Sequence, residues 1–188
     1  ENGLILLEAM RTDFDPAYDL IEQTLPRLGR LSRATFEFCQ YSSRYDRFLS
    51  GETVNAFNPE LCNAAVMDIG VYCIHSLVRL FGMPEQIKAF STKLSNGFEG
   101  SGTVLMQYDG MTAEAIYSKT AVSVTPSVIQ GEKGSLLIDY VSRPETLELR
   151  LRKGSRDPLS GGNTEMLPYT PADNNMIYEI REFIRLIK

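Results

Sequence analysis

Residues 64–82 read AAVMDIGVYCIHSLVRLFG, and how this stretch is wound decides the fold. As a helix it is apolar nearly all the way round: Val66, Met67, Ile69, Val71, Cys73, Ile74, Leu77, Val78, Leu80 and Phe81 cover most of its circumference. Yet it carries Asp68, Tyr72, His75 and Arg79, which at ~100° per residue fall within an arc of about 60°. A surface helix has a wide polar face, whereas this pattern describes a narrow polar stripe on a buried body. Burying a carboxylate without partners costs several kcal/mol. The stripe therefore faces a cleft, a ligand or a partner's charges, or it pairs internally. Internal pairing would join Asp68 to Tyr72 and His75 to Arg79, residues about one turn apart.

Working outward, the stretch is preceded by residues 42–58, rich in Ser, Arg, Asp, Asn and Gly, which read as a long loop of functional or mobile character. Upstream of that, RATFEFCQY (33–41) alternates Phe36 and Phe38 against Glu37, the pattern of a half-buried strand. Asp15-Pro16 opens a helix, with Asp15 as N-cap and Pro16 in the first turn, that stops at Pro26 or Gly29. Downstream, after Gly82 and Pro84, the period changes to two. IKAFSTKL, GTVLMQYD, MTAEAIYSK, SVIQGEKGSLLIDY and LELRLRK read as successive strands, with hairpin turns at Asp109-Gly110 and Glu132-Lys133-Gly134. Residues 154–175 read as a surface loop before a last helix from about Asn175. Residues 3–10, GLILLEAM, form a continuous apolar run of the kind found in a strand buried on both faces. The expected class is α+β: a large, open, mostly antiparallel sheet with helices on one face.

The chain has 188 residues, 43% hydrophobic and 23% charged, as expected of a globular domain with a real core. A net charge of −5 and a pI near 5.0 point away from nucleic acid and from anionic membranes as partners. The one basic cluster, Arg150, Arg152, Lys153 and Arg156, alternates with leucines and reads as the solvated face of a strand. No apolar run approaches the roughly 20 residues that span a bilayer. Cys39, Cys62 and Cys73 have no C-x-x-C spacing and read as reduced thiols of a cytoplasmic protein. With a single histidine and no H-E-x-x-H or H-x-x-E-H pattern, no metal site is expected.

Six stretches, EAMRTDFDP, LGRL, FNPEL, MDIGVYCIH, RLFGMP and QGEKGSL, occur in the order and spacing of a known family. From Leu4 to about Leu149 the chain resembles the glucose–fructose oxidoreductase, inositol dehydrogenase and MocA family, on the branch of the dimeric dihydrodiol dehydrogenases. The resemblance implies a two-domain oxidoreductase. A Rossmann domain binds NAD or NADP, and a C-terminal α+β domain binds a sugar, polyol or diol and forms a homodimer through its sheet. No G-x-G-x-x-G is present, and Gly97–Gly102 has the wrong spacing. The resemblance therefore assigns residues 15–188 to the C-terminal domain and residues 1–14 to a linker and the last strand of a Rossmann domain lying upstream. The absence of an initiator Met and the uncapped final helix fit a chain cut at both ends.

The resemblance also assigns roles. Tyr72 would be the general acid/base on the substrate oxygen, because hydride transfer to a carbonyl builds alkoxide character that a positioned donor must protonate. A phenol ordinarily ionises near pH ~10, and in the family a Lys of an E-K-P motif on the Rossmann domain helps it. Asp68 would orient the substrate or that Lys, His75 and Arg11 would contact substrate, and Gly70 would let the helix pack closely. Asn63 and Ala64 stand where relatives carry a Gly-Gly pair, and Asp13 stands where many carry an Arg. Those departures keep open a second reading, a non-catalytic ligand-binding or dimerisation relative of the same fold. A third, a metallohydrolase with Asp68 and His75 as ligands, lacks the further ligands it needs.

Overall fold

Alternating side chains and tight turns fold the middle of the chain into a single sheet. In the computed structural model, which describes residues 4–153 and 162–188, it has eight strands. They are β1 (Leu31–Cys39), β2 (Gln86–Lys93), β3 (Glu99–Tyr108), β4 (Met111–Ser118), β5 (Ser127–Gly131), β6 (Gly134–Ile138), β7 (Leu147–Leu151) and β8 (Asn163–Met166). The spatial order is β2-β3-β4-β1-β5-β6-β7-β8. Only the β1–β4 pair is parallel, and β1 is inserted between β4 and β5. Asp109-Gly110 closes the β3–β4 hairpin with Gly110 at φ 72°, a left-handed conformation that glycine takes without strain. The Glu132-Lys133 turn closes β5–β6.

The helices are α1 (Arg11–Phe14), α2 (Pro16–Thr24), α3 (Tyr45–Leu49), α4 (Val71–Phe81) and α5 (Met176–Ile187). Asp15 caps α2 as expected, its Oδ1 accepting from the Ala17 amide at 3.0 Å, with Pro16 at the first position. A 3-10 turn through Pro26 ends at Gly29. One sheet face carries Ala34, Phe36, Val104, Met106, Ala113, Ala115, Ile129, Leu136 and Leu149. Tyr18 and Ile21 of α2 and Ile69, Cys73 and Leu77 of the 64–82 stretch complete that core. The register puts Phe90, Leu105, Ile116, Val128 and Leu137 on the opposite face, among Arg33, Thr35, Glu37 and Glu114.

Residues 4–10 take no part in the described sheet, and Leu4 and Leu6 are 84% and 98% exposed. Two expectations need correction. Residues 42–58 are not bare loop, because they contain α3 and a 3-10 turn at Asn55–Phe57. Tyr45, Phe48, Phe57 and Phe98 give them a small aromatic core of their own. Within the segment read as surface loop, residues 163–166 add strand β8 through main-chain pairing with β7, which needs no apolar pattern. Residues 154–161 of that segment, Arg156 of the basic cluster and residues 1–3 lie outside the described residues. Arg150, Arg152 and Lys153 are exposed as expected, Arg150 pairing with Glu148 on its own strand.

Candidate active site

The 64–82 stretch is helical but not uniformly α. Val66–Gly70 form one wide π-type turn before α4 begins, a distortion often found at functional sites. Gly70 lies at the end of that turn against the Tyr117 ring of β4. A Cβ there would stand 2.8 Å from Tyr117 Cδ1 and Cγ, so the side-chain-free position seats the helix on the sheet. The close packing expected of Gly70 is thus present. Burial and its contact with Glu99 push the Tyr117 phenol well above its usual range.

The polar stripe divides in two. Neither expected internal pair forms. Asp68 Oδ2 lies 2.6 Å from Lys119 Nζ, at the end of β4. Tyr72 sets its ring edge-on against Phe38 of β1, with centroids 5.8 Å apart. These residues line a cleft of about 290 Å³, together with Arg11, Ile69, Gln40, Ser42, Ser43, Arg44 and Ser142. Through Arg11, Phe38, Gln40 and Ser142 it adjoins a larger open cavity of about 910 Å³ walled by Tyr41, Val122, Val124 and Tyr140.

The other half of the stripe turns away. His75 Nε2 lies 3.3 Å from Asp13 Oδ2, and Nδ1 lies 3.4 Å from Thr12 Oγ1. It is not among the residues that line either cavity. Arg79 donates to Asp19 at 2.8 Å, to Glu22 at 3.0 Å and to the Thr12 carbonyl, and stacks over Tyr18 at 5.3 Å. Both residues anchor α1 and α2 to α4. The reason lies in the helix neighbours: the first half of the stripe meets the ends of β1 and β4, the second half meets the opening helices.

Arg11, by contrast, is brought to the cleft. Its guanidinium donates to Asn175 Oδ1, and Asn175 Nδ2 donates in turn to Asp15 Oδ2 at 2.9 Å. Asp15 also accepts from the Tyr169 hydroxyl at 2.7 Å. The N-cap of α2, the start of α5 and the β8–α5 connection therefore fix one cationic wall. Burial, followed by the bond to Asp15, raises the Tyr169 phenol far above its usual range and keeps it a donor.

Lys119 was invisible in the sequence, where it reads as the polar end of an alternating strand. Its side chain is 5% exposed. Besides Asp68 it donates to the Ala56 carbonyl at 2.9 Å and sits over the Phe57 and Phe98 rings at 5.0 and 5.4 Å. Ser42, Ser43 and Arg44 were legible only as part of a segment of functional character. Asn63, in the Gly-Gly position, donates to the Asn55 carbonyl at 3.3 Å and so braces that segment.

A nicotinamide dinucleotide needs a glycine-rich turn leading from a strand into a helix to hold its phosphates. The described residues do not fit that demand: Gly97–Gly102 turns into β3, where Gly102 packs against the Tyr117 hydroxyl, and no helix follows it. Nor do they hold a group of three or more His, Cys, Asp or Glu side chains placed to bind a metal ion. The cleft can hold a small polyhydroxylated molecule between carboxylate, phenol, hydroxyl and guanidinium groups.

The chain thus combines an open eight-stranded sheet with a polar cleft on the helix that bears Asp-x-Gly-x-Tyr. Residues 21–137 match the family model of the GFO/IDH/MocA C-terminal domain, and the chain belongs to that family. It is 46% identical over its whole length to scyllo-inositol 2-dehydrogenase (NADP(+)) IolU of Bacillus subtilis, covering 55% of that protein. Over 70% of its length it is 30% identical to trans-1,2-dihydrobenzene-1,2-diol dehydrogenase of Macaca fuscata fuscata, covering 39% of it. Among solved structures, the 3-ketoreductase KijD10 of Actinomadura kijaniata, in complex with NADP and TDP-benzene, superposes with a TM-score of 0.78 at 17% identity. That superposition covers 98% of this chain and 55% of KijD10. The chain thus spans about half the length of the relatives it matches most fully.

Proposed function

We propose that this chain is the substrate-binding part of an oxidoreductase that moves hydride between NADP and the hydroxyl-bearing carbon of a sugar, polyol or dihydrodiol. One observation carries the reading: Asp68 and Tyr72, of the Asp-x-Gly-x-Tyr helix, line one cleft with Arg11 and Lys119. NADP rather than NAD is favoured by the names of IolU and KijD10. In this reading the cofactor is held by a dinucleotide-binding domain of the same protein, in keeping with a chain that spans about half the length of IolU.

Oxidation of a secondary hydroxyl releases a hydride and a proton, and the proton is this chain's share of the chemistry. Tyr72 takes it from the substrate oxygen in oxidation and returns it in reduction. Phe38 holds the phenol ring in place from the side. Asp68 accepts from a substrate hydroxyl, and Arg11, held by Asn175, closes the far wall. Free Cys39, Cys62 and Cys73 fit a reducing, cytoplasmic setting. The open sheet face, with Leu105, Ile116, Val128 and Leu137, supports a homodimer packed through it.

Tyr72→Phe in the whole protein tests the reading, with NADPH and NADH compared in the same assay. Turnover is expected to fall about 10²–10⁴-fold with cofactor affinity little changed. Activity within a few-fold of the parent would remove Tyr72 from the chemistry.

A further inference from the structure

Among the described residues that line the cleft, Lys119 is the one buried cation. Lysine is almost never this buried unless it is paired. Here the pairing is lopsided. Lys119 is 5% exposed and committed to Asp68, the Ala56 carbonyl and two aromatic faces, while Asp68 remains 51% exposed on the cleft side of the pair. Only Oδ2 of Asp68 meets the ammonium, and no described residue donates a hydrogen bond to Oδ1. Asp68 also lies inside the wide turn of Val66–Gly70, the kind of distortion often found at functional sites. A carboxylate half in solvent gains little stability from an ion pair. What the arrangement provides is a fixed position.

We propose that Lys119 is a positioning residue: its ammonium fixes Asp68 through Oδ2 so that Oδ1 receives a second hydroxyl of the substrate while Tyr72 works on the first. Asp68 and Tyr72 are four residues apart, about one helical turn. Lys119 also joins this site to the aromatic core of residues 42–58, since the same ammonium touches Ala56 and Phe57. The inference rests on the reading given under Proposed function.

The test uses the whole protein with scyllo-inositol as substrate, and Lys119→Gln, Lys119→Arg, Asp68→Asn and Lys119→Gln/Asp68→Asn as variants. Glutamine retains a donor for the Ala56 carbonyl and removes the charge. Lys119→Gln should lower kcat/KM about tenfold or more, mostly through KM, at a melting temperature close to the parent's. Lys119→Arg should recover most of the loss. The double variant should be no worse than Asp68→Asn alone, because both changes act through one carboxylate. Calorimetric titration of scyllo-inositol should show the same weakening as KM. The proposal is overturned if a folded Lys119→Gln protein keeps its KM, if the two single losses multiply, or if activity tracks only melting temperature. Tyr72→Phe in the same assay separates the two claims. If it is inactive while Lys119→Gln is normal, this inference alone fails; if it is active, the proposed function fails.

Discussion

Gly70 shows how a single missing side chain shapes the site. It carries no positive φ, so its identity is dictated by space: the Tyr117 ring occupies the volume a methyl group would need. Gly70→Ala must push apart the helix that bears Asp68 and Tyr72 and the strand that bears Lys119. We expect a loss of about 1–3 kcal/mol in stability, the usual range for overpacking. Denaturant unfolding measures it, and an unchanged midpoint would mean that Tyr117 moves aside freely. The three cysteines show the same dependence on surroundings. Burial pushes the Cys39 thiol up to about 12 and that of Cys73 higher still, while Cys62 stands exposed. Sequence spacing identified all three as unpaired thiols, but only their burial separates an inert thiol from an accessible one.

At the scale of elements, patterns with a strong period were legible and patterns without one were not. Helix 64–82, the Asp15-Pro16 start of α2 and both hairpins follow from local rules about apolar spacing, capping and turn residues. Strand β8 was hidden because it is exposed throughout and exists only by pairing with β7. The apolar run at residues 4–10 shows the converse: however apolar, it takes no part in the described sheet, because a strand needs a neighbour. Residues 42–58 owe their order to four aromatic rings spread over more than fifty positions, a cluster that no short window displays. Phe57 is its centre, in contact with Tyr45, Phe48, Phe98 and Lys119. Phe57→Ala should therefore open this segment locally. Trypsin cleavage after Arg44 or Arg47 should quicken about tenfold or more, since each ~1.4 kcal/mol of local opening is a factor of ten. Cleavage at the parental rate would show that the segment is held by something else.

The whole molecule adds a surface that the strands alone left ambiguous. Either member of pairs such as Leu105 and Val104, or Leu136 and Leu137, fits the open face by alternation. The register assigns Leu105, Ile116 and Leu137 to it, and Val104, Met106, Ala113, Ala115 and Leu136 to the core. Phe90 extends the open face toward the edge strand β2 and is 76% exposed. Apolar side chains exposed on an otherwise polar sheet face suit an interface with a second copy, and we predict one. A stable sheet-to-sheet dimer would bury more than about 1,200 Å² in total. Sedimentation equilibrium should give a dimer for the parent and a shift toward monomer for Leu105→Glu/Phe90→Glu, with melting of each subunit little altered. A soluble monomer at high concentration, or a dimer indifferent to both substitutions, would place the interface elsewhere.

By itself the sequence determined the class of fold, the helix that lines the cleft and the family, because each of these rests on local periodicity, turn chemistry and short motifs. It brought Asp68 and Tyr72 forward together, since one helical turn separates them whatever surrounds the helix. Only the tertiary structure decided what that stripe meets. Asp68 is held by Lys119, 51 residues further along the chain, and Arg11 reaches the cleft through Asn175, 164 residues away. His75 and Arg79, equally polar and on the same stripe, are spent on anchoring α1 and α2. The physical reason is that a helix fixes the direction of its side chains relative to one another. Which of them face a cleft and which face a neighbouring helix is set by strands and caps that are distant in the sequence.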